Sequence, residues 1–96
     1  MHNISIQLKE TVDLNEREKT IIQVTTLNFA AMTNALITGQ SMVINPLEDE
    51  SIGATLVYPK ALDDELLEKM KQSLESRFIN FSKMIKIDFE IHIKSY

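Results

Sequence analysis

The stretch from Lys83 to Lys94, KMIKIDFEIHIK, alternates between apolar and polar residues along most of its length. Successive side chains of a β-strand point to opposite faces, so the pattern predicts a strand at the end of the chain. Its inward face would carry Ile85, Ile87, Phe89, Ile91 and Ile93. The opposite face is mostly charged, which indicates an antiparallel or mixed sheet that is covered on one side and solvated on the other.

Three earlier strands are predicted from alternation and from β-branched residues. They cover residues 3–9, 41–45 and 52–58. In the third of them the inward face would carry Ile52, Ala54, Leu56 and Tyr58. Pro46 and Pro59 close the second and third strands because proline cannot donate to a sheet ladder. The polar segment 46–51 is predicted to be a hairpin loop.

A first helix is predicted from Leu14 to a stop at Gly39. Asp13 has the residue type of an N-cap, and Glu16 stands at the reciprocal position of a capping box. The β-branched stretch 20–26 favours a strand instead. We prefer a helix because the capping pattern and the long 3.6-residue period agree.

This first helix carries two apolar stripes on nearly opposite sides. One stripe spans about 80° at 100° per residue and is predicted to face the core; it contains Leu14, Ile21, Phe29, Met32 and Leu36. The other is predicted to be a seam between two copies of the chain, with the asparagine fixing the register; it contains Leu27, Ala30, Asn34 and Ile37. Coverage of this second stripe by a loop or by the other helix is the alternative.

The second helix has a single apolar stripe. It begins at the acidic residues 63–65, where negative charge complements the helix dipole, and is predicted to end near Asn80. The predicted core stripe contains Leu62, Leu66, Met70, Leu74 and Phe78. Charged and polar residues occupy the other side, as expected of a helix with one solvated face.

Residues 1–96 therefore predict one α+β domain with the order βαββαβ. This order resembles the ferredoxin-like sandwich, in which two helices pack on one face of a four-stranded antiparallel sheet. The resemblance implies that the first and third strands are central and that the fourth lies at an edge. It implies no particular function, because this fold serves many.

Composition excludes several classes of function. The chain has no cysteine, so disulfides, thiolate metal sites and cysteine nucleophiles are impossible. Its net charge is −4, and no aromatic residue is predicted on the open face of the two central strands, so nucleic-acid binding is not predicted. We also expect no signal peptide and no membrane span, and hence a cytoplasmic protein.

Neither a catalytic site, a cofactor site nor a metal site is predicted. Glu90 and His92 share one strand face and could hold a metal together, but a further ligand would be needed. Alternating charges that protect an edge strand are the simpler interpretation. Glu48, Asp49 and Glu50 are consecutive and point in diverging directions, which suits a solvated loop or a docking point for a basic partner better than a calcium site.

Two functional hypotheses remain. The first is a small non-enzymatic protein-interaction module, homodimeric, acting as an adaptor, an inhibitor or an accessory protein, for example of a mobile element. The second is a dimeric α/β sandwich that binds or converts a small molecule in a pocket at the sheet or at the dimer interface. Polar groups that converge near Tyr58, Glu90 and His92 would be the signature of the second hypothesis.

Overall fold

A computed structural model of the protein describes the backbone of residues 2–95 and the side chains of residues 3–94. It consists of β1 (His2–Leu8), α1 (Glu16–Ile37), β2 (Val43–Pro46), β3 (Gly53–Val57), α2 (Asp64–Ile85) and β4 (Phe89–Ser95). The strands form one antiparallel sheet in the order β2-β3-β1-β4. This is the βαββαβ ferredoxin-like arrangement that the sequence predicts, with β1 and β3 central and β4 at an edge.

The inner face of the sheet is apolar. Ile4 and Ile6 of β1 and Leu56 of β3 are fully buried, and Tyr58, just after β3, is 1% exposed. Gly53 begins β3 where β1 comes very close: a Cβ there would lie 2.1 Å from the carbonyl oxygen of Ile6. Only glycine fits this position, since its φ of 137° is also unfavourable for any other residue. The predicted inward face of the third strand is thus confirmed.

The apolar stripe predicted for α2 faces the core. Met70, Leu74 and Phe78 are buried in α2, and Leu62 is buried just before it. Leu66 is half-buried, and its neighbour Leu67, which the stripe omits, is 2% exposed. The helix begins at an N-cap, Asp63, whose side chain accepts a hydrogen bond of 2.8 Å from the backbone N–H of Leu66.

The last strand is shorter than its alternation predicts. Residues 83–85 form the final turn of α2, so the predictions that the helix ends near Asn80 and that the strand begins at Lys83 are wrong. The helix stops at Lys86, which has a φ of 59°, and β4 starts at Phe89. Ile87 and Ile91 are buried, as predicted.

Four phenylalanines join both helices to β4. Phe29 of α1 contacts Phe78 and Phe81 of α2 edge to face, with ring centroids 5.4 and 5.5 Å apart. Phe89 of β4 lies 4.7 Å from Phe78. Such pairs contribute about 0.5–1.5 kcal/mol each beyond the area that they bury.

The start of α1 lies two residues later than predicted. Asn15 is the N-cap rather than Asp13: its side chain accepts a 2.8 Å hydrogen bond from Glu18 N–H, and Asn15 N–H donates to Glu18 Oε1 at 3.1 Å. The pattern Asn15–Glu18 has the same spacing as Asp13–Glu16, so both fit a capping box. The end at Gly39 is confirmed, with a φ of 61° and a hydrogen bond from its N–H to Asn34 O.

Three of the five residues in the core stripe predicted for α1 lie at the surface, and only Leu14 and Phe29 are partly buried against the core. Ile21, Met32 and Leu36, predicted to face the core, are 56%, 49% and 70% exposed. The buried residues of the helix are Ile22, Thr26, Ala30, Thr33 and Asn34. The helix itself is confirmed, but the side that packs on the sheet and on α2 is the one that carries polar residues.

Candidate functional site

The orientation of α1 is fixed at its N-terminal half by Gln23. The Nε2 atom of Gln23 donates to Gly53 O at 2.8 Å, and Gly53 N–H donates to Gln23 Oε1 at 2.8 Å. One amide side chain thus satisfies both backbone groups of the residue that starts β3. A rotation of α1 about its axis would break both bonds.

Asn34 fixes the C-terminal half of α1. Its Oδ1 atom accepts from the Tyr58 hydroxyl and from Thr38 Oγ1, both at 2.6 Å, and its Nδ2 donates to Gln40 O at 2.9 Å. Burial raises the pKa of Tyr58 to about 12, because the phenolate would lose its hydration. The hydroxyl therefore remains a hydrogen-bond donor across the physiological range.

The threonines on the buried side of α1 are satisfied within the helix. The hydroxyl of Thr26 donates to Ile22 O at 2.8 Å, and that of Thr33 donates to Phe29 O at 2.6 Å. A hydroxyl that bonds the carbonyl four residues earlier needs no other partner. This side of the helix can therefore be buried although it is partly polar.

The predicted seam between two copies lies inside the protomer. Ala30 is fully buried and Asn34 is 8% exposed, while Leu27 and Ile37 are partly buried against the core. Asn34 is bonded to Tyr58, which follows β3, and to Gln40, in the segment that follows α1. Coverage by a loop is part of the alternative that the sequence left open. Ala30 and Asn34, the central members of the predicted seam, are therefore not accessible at the surface of the protomer.

The side of α1 that remains exposed is apolar. Val24 is 52% exposed, in addition to Ile21, Met32 and Leu36. Asn28 and Ala35 are exposed beside them. We call this surface the outward face of α1; at 100° per residue it spans an arc of about 120°. Its members are Ile21, Val24, Asn28, Met32, Ala35 and Leu36.

The signal that could have identified this surface is an absence of charge. Residues 20–47 include no Asp, Glu, Lys or Arg. A helix with apolar residues on opposite sides cannot be oriented by its period alone, but one with so few charges in a small two-layer domain is expected to expose apolar residues. By length and composition α1 would also be able to cross a membrane, a criterion that core helices of water-soluble proteins meet as well.

The open face of the sheet carries a short polar chain. Glu90 Oε2 lies 3.3 Å from both Gln7 Nε2 and His92 Nε2. The hydrogen bond with His92, and then that with Gln7, lowers the pKa of Glu90. Tyr58 lies on the other side of the sheet, so the convergence of Tyr58, Glu90 and His92 is not found. On the same open face Asn3 is 5% exposed, and its Oδ1 has no hydrogen-bond partner among residues 3–94.

The acidic loop is exposed and internally bonded. The carboxylate of Asp49 accepts from Ser51 N–H at 3.1 Å and from the Ser51 hydroxyl, which lowers the pKa of Asp49. With Glu48 and Glu50 it borders an open cleft of about 1390 Å³ that also touches Val24 of α1. The described residues hold no cluster of three or more His, Cys, Asp or Glu that could bind a metal.

Comparison of the chain with protein-family models, with curated proteins and with solved structures gives no match. The outward face of α1 is therefore the feature from which a function can be inferred.

Proposed function

We propose that this protein is a non-enzymatic protein-interaction module whose docking surface is the outward face of α1. The observation that carries the proposal is the exposure of Ile21, Val24, Met32 and Leu36, each about half exposed or more, on one uncharged helix side. Contiguous exposed apolar residues on a small protein mark sites of interaction more often than scattered ones do.

The packing of α1 supports a surface of this kind. Full burial of a Leu, Ile, Val or Met side chain stabilises a fold by about 1.5–3 kcal/mol relative to exposure. In α1 these large side chains are outside while Ala30, Thr26 and Thr33 are inside. The arrangement forgoes stability within the protomer and keeps apolar area available for a partner.

The hydrogen bonds of Gln23 and Asn34 also make the surface rigid. A surface that is already held in its binding geometry loses little conformational entropy when a partner docks. The acidic residues Glu48, Asp49 and Glu50 border the N-terminal end of this face. They remain a predicted contact point for a basic group on a protein partner.

A pair of matched variants tests the proposal. Ile21 on α1 is 56% exposed and Ile79 on α2 is 54% exposed, so Ile21→Glu and Ile79→Glu place the same charge at equally accessible sites. Each variant and the wild type would be used as tagged bait in the native cell. We expect a protein that the wild type and Ile79→Glu retain and that Ile21→Glu loses. Retention of every partner by Ile21→Glu would overturn the proposal.

A small-molecule site on the open sheet face is the second candidate, favoured by the buried Oδ1 of Asn3, which has no hydrogen-bond partner among residues 3–94. Such an acceptor would suit a ligand with an N–H or O–H donor. A thermal-shift screen separates the two candidates, because a ligand that binds only the folded state raises the midpoint. A shift that Asn3→Ala abolishes would favour this candidate.

A further inference from the structure

We propose that the outward face of α1 binds the same face of a second copy of this chain, with the two helices antiparallel and Asn28 on the two-fold axis. This inference rests on the proposed function, since it names the partner of the same surface. It differs from the seam predicted from the sequence in every residue. Two features support this partner: the near-symmetry of the face about Asn28 and the distribution of charge at its two ends.

Five of the six residues of the face pair with a member of the same face around position 28, and the sixth, Leu36, would face Thr20. In an antiparallel pair each residue faces the one equally far from Asn28 on the other copy. Ile21 then faces Ala35, Val24 faces Met32, and Asn28 faces itself. The first pair sets a large side chain opposite a small one, which suits interdigitated packing.

Asn28 suits a two-fold axis chemically. An amide side chain carries a donor and an acceptor, so two facing copies can exchange a pair of N–H···O bonds. A single polar residue in an otherwise apolar seam favours one register over those that would leave it without a partner. Within the protomer Asn28 is exposed.

The ends of the helix are also complementary. Arg17 lies on the same side of α1 as Ile21, one turn before it, and is exposed. In the antiparallel pair it reaches the C-terminal end of the other copy's α1, whose last turn contains no basic residue. A cation at a helix C-terminus is stabilised by the helix dipole and by the unpaired carbonyl groups there.

Charge also selects the antiparallel orientation over the parallel one. The acidic loop 48–50 borders the N-terminal end of α1. A parallel pair would bring two such loops together, whereas an antiparallel pair separates them by roughly the helix length of 30 Å. At physiological ionic strength charges are largely screened beyond about 8 Å, so the separated loops would not repel appreciably.

Other occupants fit this face less well. An anionic membrane attracts basic residues, whereas this chain has a net charge of −4 and Arg17 is the only cation on this side of α1. The stripe from Ile21 to Leu36 is about 22 Å long and about 10 Å wide, so it offers less area than the roughly 800 Å² per partner of a standard interface. We therefore expect a weak dimer, with a dissociation constant in the micromolar range.

Sedimentation velocity and disulfide trapping test the geometry. The wild type should pass from monomer to dimer as its concentration rises through the micromolar range. Ile21→Glu should weaken association by at least about tenfold, because the charge would be buried in the dimer, and Ile79→Glu should leave it unchanged. The chain has no cysteine, so single cysteines report contacts without interference.

Under mild oxidation Asn28→Cys should form a covalent dimer several-fold faster than Ile79→Cys, and Arg17→Cys should not. A mixture of Ile21→Cys with Ala35→Cys should give the mixed dimer in preference to either homodimer. Equally fast trapping of Arg17→Cys and Asn28→Cys would show a parallel pair and overturn the proposed geometry.

A wild type that is monomeric at high micromolar concentration and is not trapped at Asn28→Cys would overturn the second copy as the partner. If Ile21→Glu still loses a captured protein in that case, the docking face stands with a different occupant. If wild type but not Ile21→Glu binds anionic lipid vesicles, and no protein contact depends on Ile21, both proposals fail.

Discussion

The two helices have the same length, 22 residues each, but they pack on the sheet in different ways. The buried residues of α2 are Leu67, Met70, Leu74, Phe78 and Phe81, all large and apolar. Those of α1 are Ile22, Thr26, Ala30, Thr33 and Asn34, of which only Ile22 is a large apolar residue. Outside, α2 is mainly polar and charged, whereas α1 exposes four large apolar side chains.

Two kinds of force therefore orient the two helices. The apolar volume on one side of α2 determines which side faces the sheet. Directional bonds orient α1, since Gln23 bonds Gly53 and Asn34 bonds Tyr58. A helix held by such bonds can keep its larger apolar residues at the surface, and this makes α1 the candidate docking element.

The largest expected effect comes from charges on the buried sides of both helices. Leu74 in α2 and Ala30 in α1 are each fully buried. Leu74→Asp and Ala30→Asp should each cost more than about 4 kcal/mol of unfolding free energy, because an unpaired charge would be buried. Circular dichroism would show the loss of fold. A folded Ala30→Asp variant would mean that α1 does not turn Ala30 towards the core.

An intermediate loss of unfolding free energy is expected at a residue whose hydrogen bonds orient α1, since α2 is not oriented by such bonds. Asn34→Ala leaves the buried Tyr58 hydroxyl without its acceptor and should lower the unfolding free energy by about 2–3 kcal/mol. The exposed Gln72 of α2 provides the control, and Gln72→Ala should change stability by less than about 0.5 kcal/mol. Urea unfolding of both variants would check this. Equal costs would show that Asn34 does not orient the helix.

The burial of Tyr58 predicts a dependence of stability on alkaline pH. The pKa of Tyr58 is about 12 in the folded protein and near 10 in an unfolded chain. Its contribution is therefore fully present below pH 10 and is lost as the pH rises through 12, by on the order of 2 kcal/mol. Urea unfolding across this range would measure the loss. Tyr58→Phe should remove this part of the pH dependence, and an unchanged profile would contradict the assignment.

Most of the sheet and α2 could be predicted from the sequence because their patterns depend on local period. The inward faces of β3 and of α2 follow directly from residues such as Leu56 and Leu74. The end of α2 could not, since residues 83–85 fit both a strand alternation and a last helical turn. The N-cap of α1 was ambiguous for a similar reason, as Asp13 and Asn15 both stand three residues before a glutamate.

The side of α1 that faces the core could not be predicted, because it is determined by hydrogen bonds to residues far away in the sequence. The candidate site, which lies on the opposite side of the helix, could not be predicted for the same reason. Gln23 bonds a residue thirty positions later in the chain, and Asn34 bonds one twenty-four positions later. Both residues are polar, so the hydrophobic periodicity of the sequence predicts that they lie at the surface. The sequence nevertheless showed that α1 has two opposite apolar stripes, and one of them does lie at the surface.

The orientation of α1 turns Ile21 outward and Ile22 inward, and one pair of variants tests this orientation. The two isoleucines are adjacent, and they are 56% and 6% exposed. Urea unfolding of Ile21→Glu and Ile22→Glu would be measured at a concentration low enough for a monomer. We predict that Ile21→Glu stays within about 0.5 kcal/mol of the wild type and that Ile22→Glu loses more than about 4 kcal/mol. A stable Ile22→Glu protein together with an unfolded Ile21→Glu protein would contradict the account.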